Sequence, residues 1–320
     1  MKSERGLTNG SLEPVKPKTI KIIKRKKLIK LIKTLIEFKS IEEIKLKRLK
    51  KGKKFKFPII CIGNVYLGGT GKTPISIEIF KILSSINKKP VFIKKFYPYI
   101  HDEINILNKI GPVISEKSRI KSLKSLNNSN YEVALLDDGF QDTKFLKDLS
   151  IVCFNENNWI GNGNIIPSGP LRESLDALKY ADCIMIKGKK DQKKERQLLN
   201  YNKKLQFFYF DYNIEIDNSI REKKFITFAG IGNPESFFEL LTRKNLNVIK
   251  KISFPDHHKF TNNDLDKIIN FANENNAIIL TTEKDYERLE NKYKSLIYFT
   301  KLGVKIEKFD AFKNLIKEKI

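Results

Sequence analysis

From residue 58 to the C-terminus, short apolar runs alternate with segments whose apolar residues recur every three or four positions. The runs at 58–63, 90–95, 131–137, 150–154, 182–187, 206–210, 225–229 and 277–281 have the length and bounding residues of strands. The segments 74–86, 102–110, 117–127 and 236–243 carry helical periodicity. Strands alternating with helices predict a mostly parallel sheet with helices on both faces. The polar stretch 187–204 reads as an exposed helix or a connector. A soft boundary near 205–222 divides the body into a domain at 58–210 and a smaller α/β domain at 211–320. No internal repeat is visible.

The N-terminal 57 residues follow another pattern. Residues 1–19 are polar, carry Pro14 and Pro17, and are expected to lack fixed structure. From 20 to 38, Leu28, Leu31, Ile32 and Leu35 fall at i, i+3, i+4 and i+7, with lysines opposite. This predicts a basic amphipathic helix. Two settings suit it: a membrane interface, or the protein's own core with the lysine face in water. A second basic stretch, 45–56, leads into the first strand.

Charge sharpens this division. The chain carries a formal +25, and residues 1–57 hold 20 Lys and Arg against 5 Glu. The excess is therefore concentrated in an arm, which suits an anionic surface. Cys61, Cys153 and Cys183 are odd in number and widely spaced. They form neither a metal pattern nor a disulfide framework, and are expected to be small buried hydrophobes in a reducing compartment. No apolar run reaches the ~18 residues of a membrane-spanning helix, and no signal-peptide core is present.

The chemistry begins at Cys61–Pro74, CIGNVYLGGTGKTP. A strand, a glycine-rich turn (Gly68, Gly69, Thr70, Gly71) and a helix opening on Lys72 and Thr73 form the context of a phosphate-binding loop. Glycines let backbone N–H groups turn toward phosphate oxygens, and the helix N-terminus adds partial positive charge. Lys72 suits the β- and γ-phosphates and Thr73 a Mg²⁺ ion. Tyr66 stands where the consensus has its first glycine.

The strand 131–136 runs into Asp137-Asp138-Gly139-Phe140-Gln141. Acids at the C-terminal end of a parallel strand can hold Mg²⁺ or its water beside the phosphates. Two adjacent aspartates point in different directions, so each is expected to have its own role. The loop 159–173, WIGNGNIIPSGPLRE, ends in Arg172-Glu173, a cation for the γ-phosphate and a carboxylate for the metal, or else a surface ion pair. The Gly turn in FAGIGNPESFF (228–238) reads mainly as αβ packing. FPDHHKFT (254–261) offers an acid/base histidine beside a carboxylate. TTEKD (281–285) reads as a turn into a helix.

Taken in order, GNVYLGGTGKTP, HDE at 101–103, DDGFQ, GNGNIIPSGPLRE, AGIGNPESFF, FPDHHKFT and TEKD resemble the tetraacyldisaccharide 4′-kinase family, the lipid A 4′-kinases. The resemblance covers about residues 58–289. It implies a P-loop α/β/α domain joined to a second, smaller α/β/α domain, and the basic amphipathic helix read from the periodicity precedes them. It implies transfer of the ATP γ-phosphoryl group to the 4′-hydroxyl of tetraacyldisaccharide 1-phosphate, giving lipid IVA, with Mg²⁺. The site would be peripheral, at the cytoplasmic face of the bacterial inner membrane. By motif, Gly68, Gly69, Thr70, Gly71, Lys72 and Thr73 handle phosphate, with Thr73 also on the metal. Asp138 and Glu173 are implied metal or phosphate-region ligands, and Asp137, Gln141 and Arg172 active-site supports. Asp102 is the implied general base, paired with His257.

Two features differ from the family pattern. Lys94–Pro98 stands where a Ser-Arg-Gly-Tyr-Gly run is usual, with a shorter loop before Asp102. The N-terminal segment is lysine-laced rather than strongly apolar, which favours interfacial contact over insertion. Two other classes fit less well. A GTPase switch needs an Asn-Lys-x-Asp guanine reader, which TEKD does not supply. Nucleic-acid binding predicts a broad basic and aromatic surface, whereas the charge here sits on an apolar-faced helix; no nucleic-acid partner is expected.

Overall fold

A computed structural model describes residues 52–97 and 101–320. The amphipathic helix expected at 20–38, and the basic arm as far as residue 51, lie outside the described residues. The strands are β1 (Ile59–Gly63), β2 (Pro90–Lys95), β3 (Val113–Glu116), β4 (Val133–Asp137), β5 (Leu149–Asn155), β6 (Cys183–Lys187), β7 (Gln206–Glu215), β8 (Lys224–Ala229), β9 (Asn247–Ser253), β10 (Ile278–Thr282) and β11 (Ile297–Ile306). The helices are α1 (Lys72–Ser85), α2 (His101–Asn108), α3 (Arg119–Ser125), α4 (Gln192–Leu199), α5 (Pro234–Arg243), α6 (Asn262–Glu274), α7 (Glu283–Glu287), α8 (Asn291–Lys294) and α9 (Phe309–Glu318). Every strand expected from the sequence is present, and the polar stretch 187–204 contains α4.

The strands form one sheet in the order β3-β2-β4-β1-β5-β6-β7-β11-β10-β8-β9. All neighbours are parallel except β7 and β11. The long strand β11 pairs with β10 through Ile297–Thr300, then with β7 through Lys301–Ile306. Thr282, the last residue of β10, is partnered by Thr300, and Glu215, the last of β7, by Lys301. The C-terminal ends of β7 and β10 therefore point toward each other at the middle of β11. Loops that follow the parallel strands of both halves converge there. In open α/β sheets ligands bind at such strand ends.

Period-two alternation builds the cores. Phe225, Ala229 and Leu280 face one cluster with Phe237, Phe238 and Leu241, whereas Ile226, Phe228 and Ile279 face another with Leu265 and Ile268. The first half packs α1 through Ile75, Ile79, Phe80, Ile82 and Leu83, each burial worth roughly 1.5–3 kcal/mol. Its cluster also takes Ile306, Phe312, Leu315 and Ile316 from the chain's end. This differs from a simple division at residue 210. That boundary falls inside β7, and the C-terminal strand and helix return to the first core because the second half of β11 pairs with β7.

All three cysteines are buried and free. Burial pushes their thiols up, so they behave as packing residues. Among the described residues, no helix is long and apolar enough to cross a membrane.

Candidate active site

The loop after β1 is pinned from within by Asn64, which is fully buried. Its side-chain amide donates to Tyr66 O at 2.6 Å, Gly68 O at 3.2 Å and Thr70 Oγ1 at 3.0 Å. Gly71 has φ 90°, and a Cβ there would stand 2.7 Å from Phe210 Cζ and 3.0 Å from the Tyr212 hydroxyl. Only glycine fits this close approach. At Gly68 and Gly69 a Cβ would meet nothing within 4 Å, so their backbone lies open to an incoming anion. Lys72 and Thr73 open α1 directly behind this cradle.

The two aspartates diverge, as expected, because Asp138 adopts φ 61°. Asp137 is fully buried and accepts from Thr73 Oγ1 at 3.1 Å, from Ser76 Oγ at 3.2 Å and from Lys94 Nζ. Asp138 turns the other way. Arg172 grips it through Nη1 to Oδ1 at 2.6 Å and Nη2 to Oδ2 at 3.3 Å, and Lys72 Nζ lies 3.8 Å from Oδ1. Burial would raise the Asp138 carboxyl, but Lys72 and Arg172 outweigh it and hold it down to about 2.

Arg172 and Glu173 are delivered by a loop stitched to the phosphate loop. Leu67 N–H donates to Pro170 O at 2.8 Å and Arg172 N–H to Val65 O at 2.7 Å. Arg172 Nη1 also donates to Asn64 Oδ1 at 2.7 Å. Gln141 Nε2 ties Asn64 O at 2.7 Å to Glu173 Oε1 at 2.6 Å. Gln141 Oε1 is buried without a partner. Arg119, which the sequence reading did not single out, donates to Asp138 O at 2.6 Å and fixes the turn.

The second half contributes through α7. Asp102, at the start of α2, is buried. Its Oδ1 accepts the Glu103 N–H at 2.9 Å, and its Oδ2 accepts Arg288 Nε at 3.0 Å and Nη2 at 2.8 Å. Arg288 Nη1 donates to Gly230 O at 2.9 Å and Asp285 Oδ1 at 3.1 Å, while Nη2 lies 3.2 Å from His257 Nδ1. Asp102 and His257 thus reach the same guanidinium but are not paired directly. The adjacent histidines point apart: His258 Nε2 is 3.0 Å from Asp264 Oδ2 and stacks on Phe254, a packing role. His257 holds φ 58°.

TEKD does more than make a turn. Asp285 accepts Gly230 N–H at 3.0 Å and Thr282 Oγ1 at 2.7 Å, and its i,i+3 spacing from Arg288 puts both on one helix face. Lys284 lies 3.3 Å from Glu103. Glu103 is buried enough to be raised, yet Lys94 and Lys284 hold it down to about 2. For Lys94, burial opposes the charge, but Asp137 and Glu103 prevail and push it up.

The sequence-derived residues therefore gather around Asn64 and Asp137, with Asp102 joined through Glu103 and Lys94. Thr73, Asp137, Asp138 and Glu173 offer hard oxygen donors, and Gln141 Oε1 is an orphaned acceptor beside them. Among the described residues, no three His, Cys, Asp or Glu side chains close a metal shell. A partial oxygen shell completed by phosphate and water is the habit of Mg²⁺, so the residues fit that ion.

The Tetraacyldisaccharide-1-P 4′-kinase family model matches residues 31–103 and 99–320. A tetraacyldisaccharide 4′-kinase of Pelagibacter ubique (strain HTCC1062) is 40% identical over 255 residues, covering 78% of this chain and 81% of that protein. The enzyme of the same name from Rickettsia canadensis (strain McKiel) is 34% identical over 257 residues, covering 75% and 78%. The ATP complex of LpxK from Aquifex aeolicus superposes with TM-score 0.70 at 24% identity, over 91% of this chain and 98% of that one, and shares the fold. With a phosphate cradle, opposed aspartates and this family match over most of its length, the chain belongs to the tetraacyldisaccharide-1-P 4′-kinase family and is a kinase of lipid A biosynthesis.

Proposed function

We propose that the protein transfers the γ-phosphoryl group of ATP to the 4′-hydroxyl of tetraacyldisaccharide 1-phosphate through the residues gathered at the convergent strand ends. The observation that carries this reading is the cradle Gly68–Thr73 set against Asp137, Asp138 and Arg172. Backbone N–H groups at the start of α1 hold phosphate oxygens. Lys72 and Arg172 place positive charge where charge spreads over the transferring group. Thr73, Asp138 and Glu173 would hold Mg²⁺, with Asp137 and Gln141 supporting them. When bound, the ion neutralises charge on the phosphates.

Asp102 takes the proton from the 4′-hydroxyl as that oxygen attacks the γ-phosphorus and the bond to the ADP oxygen breaks. Arg288 fixes the Asp102 carboxylate, and His257 acts through the same guanidinium. The lipid acceptor implies a peripheral protein at the cytoplasmic face of the inner membrane. The basic arm is suited to its anionic lipid.

The test supplies ATP, Mg²⁺ and tetraacyldisaccharide 1-phosphate in detergent and looks for a product one phosphate heavier by mass spectrometry. Lys72→Ala is expected to fold normally and lose about 10²–10⁴-fold in turnover. Absence of the product with the folded wild-type protein sinks the reading.

A further inference from the structure

Lys94 sits next to the end of β2 with a side chain only 6% exposed. Its ammonium donates to Asp137 Oδ2 and lies 2.6 Å from Glu103 Oε2. Asp137 Oδ2 also accepts the Thr73 hydroxyl, and Oδ1 that of Ser76. Glu103 continues to Lys284 across the two halves. Two carboxylates converging on one small charge, with a hydroxyl beside them, form a donor set for a hard divalent cation. Here a lysine holds the centre. Burying an ammonium costs several kcal/mol before its partners are counted, and an apolar group with neutral partners fills such a volume at least as stably. Packing alone therefore does not account for Lys94.

We infer that Lys94 is a positioning residue that serves as the resident cation of the phosphate site. It fills the space between Asp137 and Glu103, holds Asp137 against the Thr73 and Ser76 hydroxyls, and keeps divalent ions from binding between the two carboxylates. Divalent metal is left to Thr73, Asp138 and Glu173. The lysine also joins the phosphate loop to α2, which carries Asp102. Movement of Asp137 is thereby passed toward Asp102 through Lys94 and Glu103, whose backbone N–H donates to Asp102 Oδ1. The inference rests on Thr73 and Asp137 being phosphate-loop machinery, but not on the identity of the acceptor.

The test is a Mn²⁺ titration followed by electron paramagnetic resonance, with thermal melts, on the full chain without ATP or lipid. Lys94→Met is expected to bind one more Mn²⁺ per chain than wild type and to melt higher as Mn²⁺ is added. Lys94→Arg, which keeps the cation, should show the wild-type count. Lys94→Met with Glu103→Gln should lose the additional ion, since one carboxylate of the pair is gone. A folded Lys94→Met protein without an additional ion overturns the proposal, as does an additional ion that persists in the double variant. If Lys94→Met does not fold without metal, Mn²⁺ should rescue it or the milder Lys94→Gln. Failure of Mn²⁺ to rescue either also overturns the proposal, because a metal must be able to replace the lysine charge. Since no turnover is measured, failure here leaves the kinase reading standing.

Discussion

Arg288→Met tests whether the two halves build one catalytic unit. The substitution keeps much of the side-chain volume and removes two bonds to Asp102, one each to Gly230 O and Asp285, and the contact with His257. Asp102 and Asp285 have side chains 4% and 0% exposed, so both lose a buried charge partner. Removing one member of a buried pair typically costs about 3–5 kcal/mol, which lowers the melting temperature on the order of 5–15 °C. Turnover should fall at least about 10²-fold as the Asp102 carboxylate loses its fixed orientation. The KM for ATP should hold, because Arg288 makes no contact with the phosphate cradle. The variant Arg288→Met/Asp102→Asn separates the effects: with one orphaned charge removed, melting should recover in part while turnover stays low. Melting is followed by circular dichroism and turnover with detergent-dispersed lipid. Near-normal turnover in a folded Arg288→Met protein refutes the reasoning. So does a double variant no more stable than the single one.

Acid provides a second test. Asp138 and Glu103 are each held down to about 2 in the folded protein. Their contribution to stability is complete above the unfolded carboxyl range of about 3.9–4.3 and is lost as pH falls from there toward 2. Asp138→Asn and Glu103→Gln should each flatten the acid limb of a melting-temperature profile, and an unchanged limb would show that the pairs add no net stability. Deleting residues 1–45 should weaken sedimentation with anionic vesicles and lower activity on vesicle-borne lipid more than on detergent-dispersed lipid. Equal loss on both would make the arm a part of the fold.

The legible parts of this chain were those encoded over short stretches. The phosphate loop declares itself because a strand, a turn requiring glycine and a helix N-terminus are contiguous. The divergence of Asp137 and Asp138 followed from adjacent side chains pointing apart. Arg288 was not legible, because its partners lie at a distance: Asp102 is 186 positions away and Gly230 is 58. Lys94 reads as the polar end of an apolar strand, and nothing local shows that Asp137 and Glu103 will surround it. The edge strands escaped notice for a different reason. β9 is mostly exposed and β3 only half-buried, so neither shows a continuous apolar run. Asp102 and His257 were found as residues, but the guanidinium between them could only come from the fold.

The register of β11 joins the two halves through one continuous sheet. It aims the strand ends of both halves at one level, and beside the site the halves also meet along α2 and α7 through charged groups. Lys109 reaches Glu283 at 3.2 Å and Glu287 at 2.5 Å with its side chain 44% exposed, and exposed pairs of this kind contribute little, about 0–1 kcal/mol. The buried link between the halves is Arg288 to Asp102; Lys284 reaches Glu103 from the second half, and Lys94 ties Glu103 to Asp137 within the first. Arg288 and Lys94 each place a buried charge beside a residue assigned to proton transfer or phosphate handling. Between α2 and α7, coupling is therefore concentrated at the Arg288–Asp102 pair and weak at Lys109. Neutralising Lys109 with Lys109→Met should leave the melting temperature nearly unchanged where Arg288→Met lowers it.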